Sequence, residues 1–297
     1  MRELAPVWYR AMVRARRFDE ISLALQRQGA IDSYASARGQ EAIHVGVATA
    51  LSEHDWLFPS YRQPGCMLAR GVGPRELWAH YGGVRFVAWD WRETRCGYHT
   101  VPLGSQLAHA TGLAWGRQLQ GFDDVVVVFF GDGASSQGEV HEAMNFAGVF
   151  KAPVVFVCEN NGWAISVPWE RQSAAEHVAD RAVGYGMPGR LVDGQLVAPV
   201  HEAVSEAIER ARGGGGPSLI EAITYRMEGH TTSDDPRRYR VASELDTWNE
   251  RDPLALLVSE LERDGTLGDV ERRTIEEEVE SDLSAAVAAW QRDRENA

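Results

Sequence analysis

The sequence VVVVFFGDGASSQGEVHEAMNFAGVFKAPVVFVCENNGWAIS, residues 125–166, predicts a strand, a helix and a second strand in succession. Its first six residues, Val125 to Phe130, are all apolar, which is typical of a strand buried on both faces. From Glu139 onward apolar residues recur at the spacing of one helical face, and Pro153 then opens another apolar run. Because such a unit almost always has a right-handed crossover, we expect two parallel strands.

Each predicted strand is followed by a polar turn, Gly131-Asp132-Gly133 after the first and Asn160-Asn161-Gly162 after the second. Neighbouring parallel strands lie about 5 Å apart, so we expect Asp132 and Asn161 to converge at one edge of the sheet. Carboxylate and amide oxygens, completed by water and phosphate oxygens, usually hold Mg²⁺. Either turn alone is more often structural. Together, and next to a helix N-terminus that favours an anion, they predict a metal–diphosphate site.

The composition is that of a globular protein large enough for one large domain or two ordinary ones. The 297 residues are 44% hydrophobic and 25% charged, and the net charge of −13 argues against nucleic-acid binding. No run of about 20 apolar residues occurs, and the N-terminus lacks the apolar core of a signal peptide. Three widely spaced cysteines form no metal or redox motif, so we expect free thiols and a cytoplasmic location.

The remaining elements are predicted from periodicity, prolines and charge. A loop with the sequence RMEGHTTSDDP, residues 226–236, follows a predicted strand and emerges at the edge that carries Asp132. Its His230 is equally consistent with a solvated side chain and with a catalytic group. Residues 84–100 form no clear pattern and predict an irregular loop, in which Trp89 and Trp91 could face a partner. Further helices are predicted over 5–28, 37–50, 75–82, 102–119, 199–212 and from Asp252, and further strands over 191–193 and 219–225.

Several motifs together resemble the α subunit of the first component of 2-oxo acid dehydrogenase complexes of the pyruvate, branched-chain and acetoin type. The resemblance runs from about Tyr9 to Trp248, and GDG joined by a helix to NN is similar to the thiamine-diphosphate fingerprint. It implies a doubly wound, mostly parallel α/β sheet in a single domain, residues 1–297, with a core over about 36–230 and helical extensions over 1–35 and 244–297. The motifs are Gly39-Gln40-Glu41-Ala42, Tyr61-Arg62, Gly131 to Gly138, Glu142 to Ala147, Asn160 to Ser166, Val192-Asp193-Gly194 and Ile220 to Asp235.

The resemblance also implies two cofactors, thiamine diphosphate and Mg²⁺, and a role for each of eleven residues. It places the metal ligands at Asp132, Asn161 and the backbone carbonyl of Trp163, and the catalytic histidine at His230. The backbone near the aminopyrimidine ring would be that of Val101 and Leu103. The residues that it places at the diphosphate are Tyr61, Arg62, Gly133, Ala134 and Arg226.

The implied function is decarboxylation of a small 2-oxo acid, with transfer of the acyl group to a lipoyl-bearing acyltransferase. A glutamate needed to activate the cofactor belongs to the family's β subunit, so we expect an assembly of two α with two β subunits and an inactive isolated chain. Two alternatives stay open: a thiamine-dependent carboligase of the acyloin type, and a non-catalytic paralogue. The segment over 84–100 lacks the family's GKGGxMH-like signature, with His99 only a superficial replacement for its histidine, and leaves the substrate range open.

Overall fold

The computed structural model of the chain describes residues 3–83 and 87–295. Its strands are β1 (Trp56–Phe58), β2 (Val126–Gly131), β3 (Val154–Asn160), β4 (Trp163–Ala164), β5 (Val167–Pro168), β6 (Gly189–Asp193) and β7 (Ser218–Ile223). Its α-helices are α1 (Ala5–Arg27), α2 (Glu41–Ala50), α3 (Pro64–Ala69), α4 (Pro74–Tyr81), α5 (Ser105–Leu119), α6 (Gly138–Phe150), α7 (Val197–Arg210), α8 (Ala242–Asn249), α9 (Pro253–Asp264) and α10 (Asp269–Glu295).

Five strands form one parallel sheet in the order β1-β2-β3-β7-β6, and β4 and β5 form a separate antiparallel hairpin. The pairing of β2 with β3 ends at Gly131 opposite Glu159, and that of β3 with β7 ends at Asn160 opposite Ile223. The three central strands therefore end together. As a result, the turns after β2 and β3 and the loop after β7 all leave the same edge of the sheet, as the sequence predicts.

Helices cover both faces of this sheet, because alternate strand residues point into two separate cores. Val127 and Phe129 belong to the core beneath α1, α2 and α7, whereas Val126, Val128 and Phe130 belong to the core beneath α5 and α6. At the C-terminus, α10 packs against α1 and α4. The prediction of a mostly parallel α/β sheet with helices at both ends of the chain is confirmed.

Two helices begin later than predicted, in each case after a glycine with a left-handed backbone. The helix expected from residue 37 begins at Glu41, because Gly39 has a φ of +94°. The helix expected from residue 102 begins at Ser105, after Gly104 with a φ of +89°. A positive φ is incompatible with a right-handed helix, so these glycines set the helix starts. The short helix α3 was not predicted.

The structure also tests three smaller predictions. The irregular loop is confirmed over 87–100, and residues 84–86 of the predicted segment lie outside the described residues. The suggestion that Trp89 faces a partner is wrong, because its ring is buried and its Nε1 atom donates to the Cys96 carbonyl. Cys66, Cys96 and Cys158 are free thiols, as expected, and all are buried. Among the described helices none combines the length and apolar character that crossing a bilayer requires.

Candidate functional site

A cavity of about 590 Å³ opens at the carboxyl edge of the central strands, where β2 and β3 and the segment after β7 contribute to its lining. The structure brings every residue predicted for the site into the wall of this one cavity. They are Tyr61, Arg62, Val101, Leu103, Asp132, Gly133, Ala134, Asn161, Trp163, Arg226 and His230.

Asp132 presents a buried carboxylate to the cavity directly after β2. Its side chain is 1% exposed and accepts hydrogen bonds from Gln172 Nε2 at 3.0 Å and from the backbone N–H of Asn161. Burial raises its pKa above the ordinary range, and the two hydrogen bonds only partly oppose this effect. No described cationic side chain forms an ion pair with it, and the charge of Arg226 only partly offsets the effect of burial. A divalent cation would supply a positive charge in direct contact.

In the Asn160-Asn161-Gly162 turn, the side-chain amide of Asn160 stabilises the turn, whereas Asn161 lies in the cavity wall. Asn160 Nδ2 donates to Glu221 Oε1 at 2.6 Å, and Asn160 Oδ1 accepts from Gly162 N at 2.9 Å, so this side chain holds the turn together. Asn161 lies in the cavity wall, and its Oδ1 atom accepts from Trp163 N at 3.2 Å. Gly162 has a φ of +78°, which this tight turn requires. The turn therefore holds Asn161 beside the Asp132 carboxylate.

Two buried arginines share one nitrogen of His230. Arg62 Nη2 lies 3.2 Å and Arg226 Nη1 lies 3.1 Å from His230 Nδ1, and the two arginines are 5% and 1% exposed. Because a guanidinium only donates, Nδ1 must accept, and a neutral His230 then carries its proton on Nε2. Burial, Arg62 and Arg226 lower the pKa of His230 to about 4. The histidine is therefore neutral at physiological pH.

Three positively charged side chains, those of Arg62, Arg226 and Arg240, act on His230. Burial is the largest cause that lowers the pKa of Arg226 to about 10, and the positive charges of Arg240 and Arg62 lower it further. The carboxylate that hydrogen-bonds into the cluster is Asp234, whose Oδ2 atom accepts from His230 N at 2.6 Å and from the hydroxyl of Tyr239. An anion between the arginines would relieve the repulsion, so the cluster fits a phosphate-bearing ligand.

The two glycines of the GDG turn differ in the space around them. A Cβ atom on Gly133 would lie 2.8 Å from the Cβ atom of Ala164 in the β4–β5 hairpin, whereas one on Gly131 would meet nothing closer than 3.8 Å. Gly133 also begins the 3₁₀ helix Gly133–Ser136, so its backbone borders the cavity at a helix N-terminus. This close approach explains why glycine stands at 133.

The mouth of the cavity is apolar on one side. Val101 and Leu103 are 68% and 44% exposed and line the cavity beside Pro102. Exposed apolar side chains at the edge of a ligand cavity mark a surface that another molecule can cover. These two residues lie just before α5, which starts at the cavity wall.

Sequence reasoning missed several polar residues that line or support the cavity. Glu159 is 2% exposed in β3; its Oε2 atom accepts from Gln63 Nε2 at 2.7 Å, and its Oε1 atom lies 3.0 Å from His44 Nε2. Gln63 Oε1 in turn accepts from Ser60 N at 2.7 Å, which fixes the turn that carries Arg62. A charged residue at the end of the apolar run VVFVCEN was the available signal for Glu159.

His99 lines the cavity and pairs with another histidine. Its Nε2 atom lies 3.0 Å from His80 Nε2, and its ring stacks on Tyr81 with centroids 5.3 Å apart. Burial and His80 lower its pKa to about 3. The sequence marked His99 only as a superficial replacement for a family histidine, and gave no indication of His80 as its partner.

The described residues contain no group of three or more His, Cys, Asp or Glu side chains that could hold a metal ion. The predicted set for Mg²⁺ differs from such a group, because it combines the Asp132 carboxylate with the Asn161 amide and the Trp163 carbonyl. Since Mg²⁺ usually keeps several water or phosphate ligands, a set with one carboxylate is compatible with it.

A parallel α/β sheet with a charged cavity at its carboxyl edge defines a class of ligand-binding proteins, and comparison with known sequences gives the family. The chain belongs to the family described as "Dehydrogenase E1 component", whose profile matches residues 9–297. It is 48% identical over 246 residues to "3-methyl-2-oxobutanoate dehydrogenase subunit alpha" of Mycobacterium tuberculosis (strain CDC 1551 / Oshkosh), covering 83% of this chain and 67% of the relative.

Two other relatives match this chain over a larger share of their own length. The chain is 40% identical over 290 residues to "2-oxoisovalerate dehydrogenase subunit alpha" of Bacillus subtilis (strain 168), covering 91% of this chain and 86% of the relative. It is 36% identical over 281 residues to "Pyruvate dehydrogenase E1 component subunit alpha" of Staphylococcus aureus (strain Mu50 / ATCC 700699), covering 93% of this chain and 75% of the relative. The predicted resemblance to first-component α subunits is confirmed, and these names do not favour the carboligase alternative.

Proposed function

We propose that this chain is the α subunit of a thiamine-diphosphate- and Mg²⁺-dependent 2-oxo acid dehydrogenase. In this role it takes part in decarboxylating a 2-oxo acid and in passing the acyl group to a lipoyl-bearing acyltransferase. Family membership and the names of the relatives support the enzyme class. The observation that carries the cofactor assignment is the meeting of Asp132 and Asn161 with Arg62 and Arg226 in one cavity.

The residues of the cavity fit both parts of the cofactor. Asp132, Asn161 and the Trp163 carbonyl would hold Mg²⁺, because the buried carboxylate forms no ion pair with the described residues. Arg62 and Arg226 would bind the diphosphate, since their repulsion calls for an anion. The remaining contacts proposed for the cofactor are Tyr61, Gly133 and Ala134 at the diphosphate, and the backbone of Val101 and Leu103 at the aminopyrimidine ring.

Thiamine diphosphate, when bound, supplies the electron sink that decarboxylation of a 2-oxo acid requires. The chain's own contribution is to bind the charged end of the cofactor and to place a histidine of defined tautomer beside it. His230 accepts from two arginines at Nδ1, so its Nε2–H is the group that can donate to a substrate or adduct oxygen. An anion between Arg62 and Arg226 would offset their charge and raise the pKa of His230 back toward neutrality.

We propose further that the partner is a β subunit, two of each forming the active assembly, because the relatives are named as α subunits. The partner would contribute the glutamate that activates the cofactor, which agrees with the exposed apolar mouth at Val101 and Leu103. The proposal also includes a doubly wound sheet, a single domain over residues 1–297 and a cytoplasmic location. The similarity of TYRMEGHTTSDD to the branched-chain type favours a branched 2-oxo acid as substrate.

Calorimetry and product analysis test this function. Thiamine diphosphate is titrated with Mg²⁺ into the chain co-purified with its β subunit, and the expected result is saturable binding that disappears when Mg²⁺ is removed by a chelator. With a 2-oxo acid and free lipoamide, acyl-lipoamide should form. Acyloin without acyl-lipoamide would favour the carboligase, and no heat of binding would favour a non-catalytic paralogue. Full turnover by the isolated chain would contradict the need for a partner.

A further inference from the structure

Residues 33–37, which have no regular secondary structure, form a segment between helix α1 and the loop that carries His230. Its side chains alternate between two surroundings: Ser33 and Ala35 line the cavity, whereas Tyr34 and Ser36 are 1% and 2% exposed and bond to Asp19 of α1. The segment is therefore one wall of the site, and its opposite side is attached to a helix that does not reach the cavity.

Asp19 accepts three hydrogen bonds from this segment. Tyr34 Oη donates at 3.0 Å and Ala37 N at 2.8 Å to Oδ1, and Ser36 Oγ donates at 2.6 Å to Oδ2. The side chain is 2% exposed and forms no ion pair with the part of the chain that the structure describes. Burial raises its pKa to about 6, against the lowering effect of the bonds from Ser36 and Ala37. At neutral pH it is thus an ionised, acceptor-only group.

Among the described residues no cation forms an ion pair with Asp19. The titratable groups that interact with it are Tyr34, Glu41 and Tyr81. Arg16 lies on the same helix, but it pairs with Glu41 at 2.5 Å and with Asp252 at 2.9 Å. The cost of burying a carboxylate without a cation is offset by the hydrogen bonds that it accepts. All three donors here belong to the segment 33–37, so the same bonds fix that segment.

From this segment two further contacts reach the site. Arg62 Nη1 donates to the Ser36 carbonyl at 2.6 Å, and the other terminal nitrogen of Arg62 donates to the His230 carbonyl at 2.9 Å. Thr232 N donates to the Tyr34 carbonyl at 2.9 Å, and Tyr34 N donates to Thr232 Oγ1 at 3.2 Å. Each branch therefore connects the α1 carboxylate to the histidine loop through one residue of the segment.

We propose that Asp19 is a positioning residue for the His230 loop and for Arg62. By fixing Tyr34, Ser36 and Ala37, it sets the two backbone carbonyls that receive Thr232 and Arg62. It touches neither the cavity nor a reacting atom, so it acts only through the segment 33–37. This inference rests on the proposed function, because it is that function which makes the loop and Arg62 part of a catalytic site.

Hydrogen exchange of the cofactor-free complex with the β subunit tests the proposal directly. In Asp19→Asn the amide replaces an ionised acceptor by a group with one acceptor and one donor, so peptides covering 33–38 and 226–235 should exchange about tenfold faster. The matched control is Asp55→Asn, another buried carboxylate, which accepts from Ser52 and Val125 and pairs with Arg212 at the amino edge of the sheet. It should leave the exchange of 226–235 unchanged.

A second readout separates positioning from general stability. The Asp19→Asn complex should show an increased KM for thiamine diphosphate with a much smaller change in kcat, since loop ordering then accompanies binding. If Asp19→Asn does not fold, Tyr34→Phe removes a single donor to the same carboxylate and should speed exchange of the same peptides to a smaller extent. Unchanged exchange at 226–235 in the folded variant, or an equal increase in Asp55→Asn, overturns the proposal. Absence of thiamine diphosphate binding would instead overturn the proposed function and leave the exchange result standing.

Discussion

The Nη1 atom of Arg226 lies 3.1 Å from the Nδ1 atom of His230, so a buried cation donates to the nitrogen that would otherwise accept a proton. Arg62 approaches the same nitrogen at 3.2 Å. Together with burial, these contacts hold the pKa of His230 at about 4 and keep the proton of the neutral ring on Nε2. The charge state of the histidine therefore depends on the arginines and on any anion that they bind.

Replacing Arg226 should change the histidine and cofactor binding together. In Arg226→Met the pKa of His230 should rise toward its ordinary value of 6.5, because one repelling positive charge is removed while burial and Arg62 remain. Affinity for thiamine diphosphate should fall by about tenfold or more with the loss of a charge-assisted contact. Histidine NMR titration and calorimetry measure the two effects. Arg117→Met, which removes a partner of Asp124, is the control; an unchanged His230 pKa in Arg226→Met would contradict the assignment.

The Asp132 carboxylate should lower the stability of the cofactor-free chain and be required for stabilisation by the bound cofactor. Burial raises its pKa, so Asp132→Asn removes a poorly solvated charge and should stabilise the cofactor-free chain slightly. The same substitution should abolish the Mg²⁺-dependent increase in thermal midpoint that thiamine diphosphate produces. Thermal unfolding of the variant and the wild type, with and without Mg²⁺ and thiamine diphosphate, measures both the stability of the free chain and the increase caused by the ligands.

Asp124→Asn provides the contrast for this experiment. Burial alone would raise the pKa of Asp124, but hydrogen bonds from Arg117 and Trp56 lower it overall. Its neutral replacement should therefore destabilise the free chain while leaving the ligand-induced increase in place. An Asp132→Asn chain that still responds to Mg²⁺ would argue against a metal role for this residue, whereas a free variant clearly less stable than the wild type would contradict the raised pKa.

The part of the site that lies on the strand–helix–strand unit was predictable, because its signals are local. The apolar runs and the turns after them fix where Asp132 and Asn161 lie once the strands are parallel neighbours. The position of His230 followed from a similar argument, since β7 also ends at this edge. Arg226 and Arg62 were assigned to the diphosphate by resemblance alone, and Arg62 lies in an irregular turn after β1 that periodicity does not describe.

The residues that hold these groups in place were not predictable from local pattern. Asp19 lies on a helix whose periodicity explains its apolar face, and nothing near it in sequence indicates a bond to Ser36. Glu159 and His44 likewise meet only through the packing of α2 against the sheet. The late start of α2 also depends on the φ of +94° at Gly39, which brings Tyr225 and Met227 close to the position of a Cβ atom. Such contacts join distant segments, and a single sequence does not show them.

Acid should destabilise the chain partly through His99. An unfolded histidine takes up a proton near its ordinary pKa of 6.5, whereas burial and His80 lower the pKa of His99 in the folded chain to about 3. Between these values the unfolded state binds more protons, so stability falls as the pH drops. His99→Gln removes this contribution and should show a shallower fall in urea midpoint between about pH 7 and about pH 5.

The control for the acid experiment is His54→Gln, since the His54 side chain is 71% exposed and lies beside the exposed side chain of Glu53. Its midpoints should follow the wild type at each pH. His230, whose pKa is also lowered, keeps part of the acid sensitivity in the His99→Gln chain, so the fall should be reduced rather than abolished. Equal pH dependence in all three chains would show that His99 is not buried in its neutral form.

Steric fit at the GDG turn gives a test with both a control and a rescue. In Gly133→Ala the new methyl group would lie 2.8 Å from Ala164 Cβ, so the turn must move, at a cost of about 1–3 kcal/mol. Because Gly133 also borders the cavity, the affinity for thiamine diphosphate should fall by more than the loss of folding stability alone would cause. Gly131→Ala, whose methyl group meets nothing closer than 3.8 Å, should bind almost normally. Adding Ala164→Gly to Gly133→Ala removes the nearer carbon but leaves the Cα atom of residue 164 at 3.2 Å, so it should restore binding in part. Calorimetry that shows no recovery in the double variant would mean that the glycine serves some need other than this close approach.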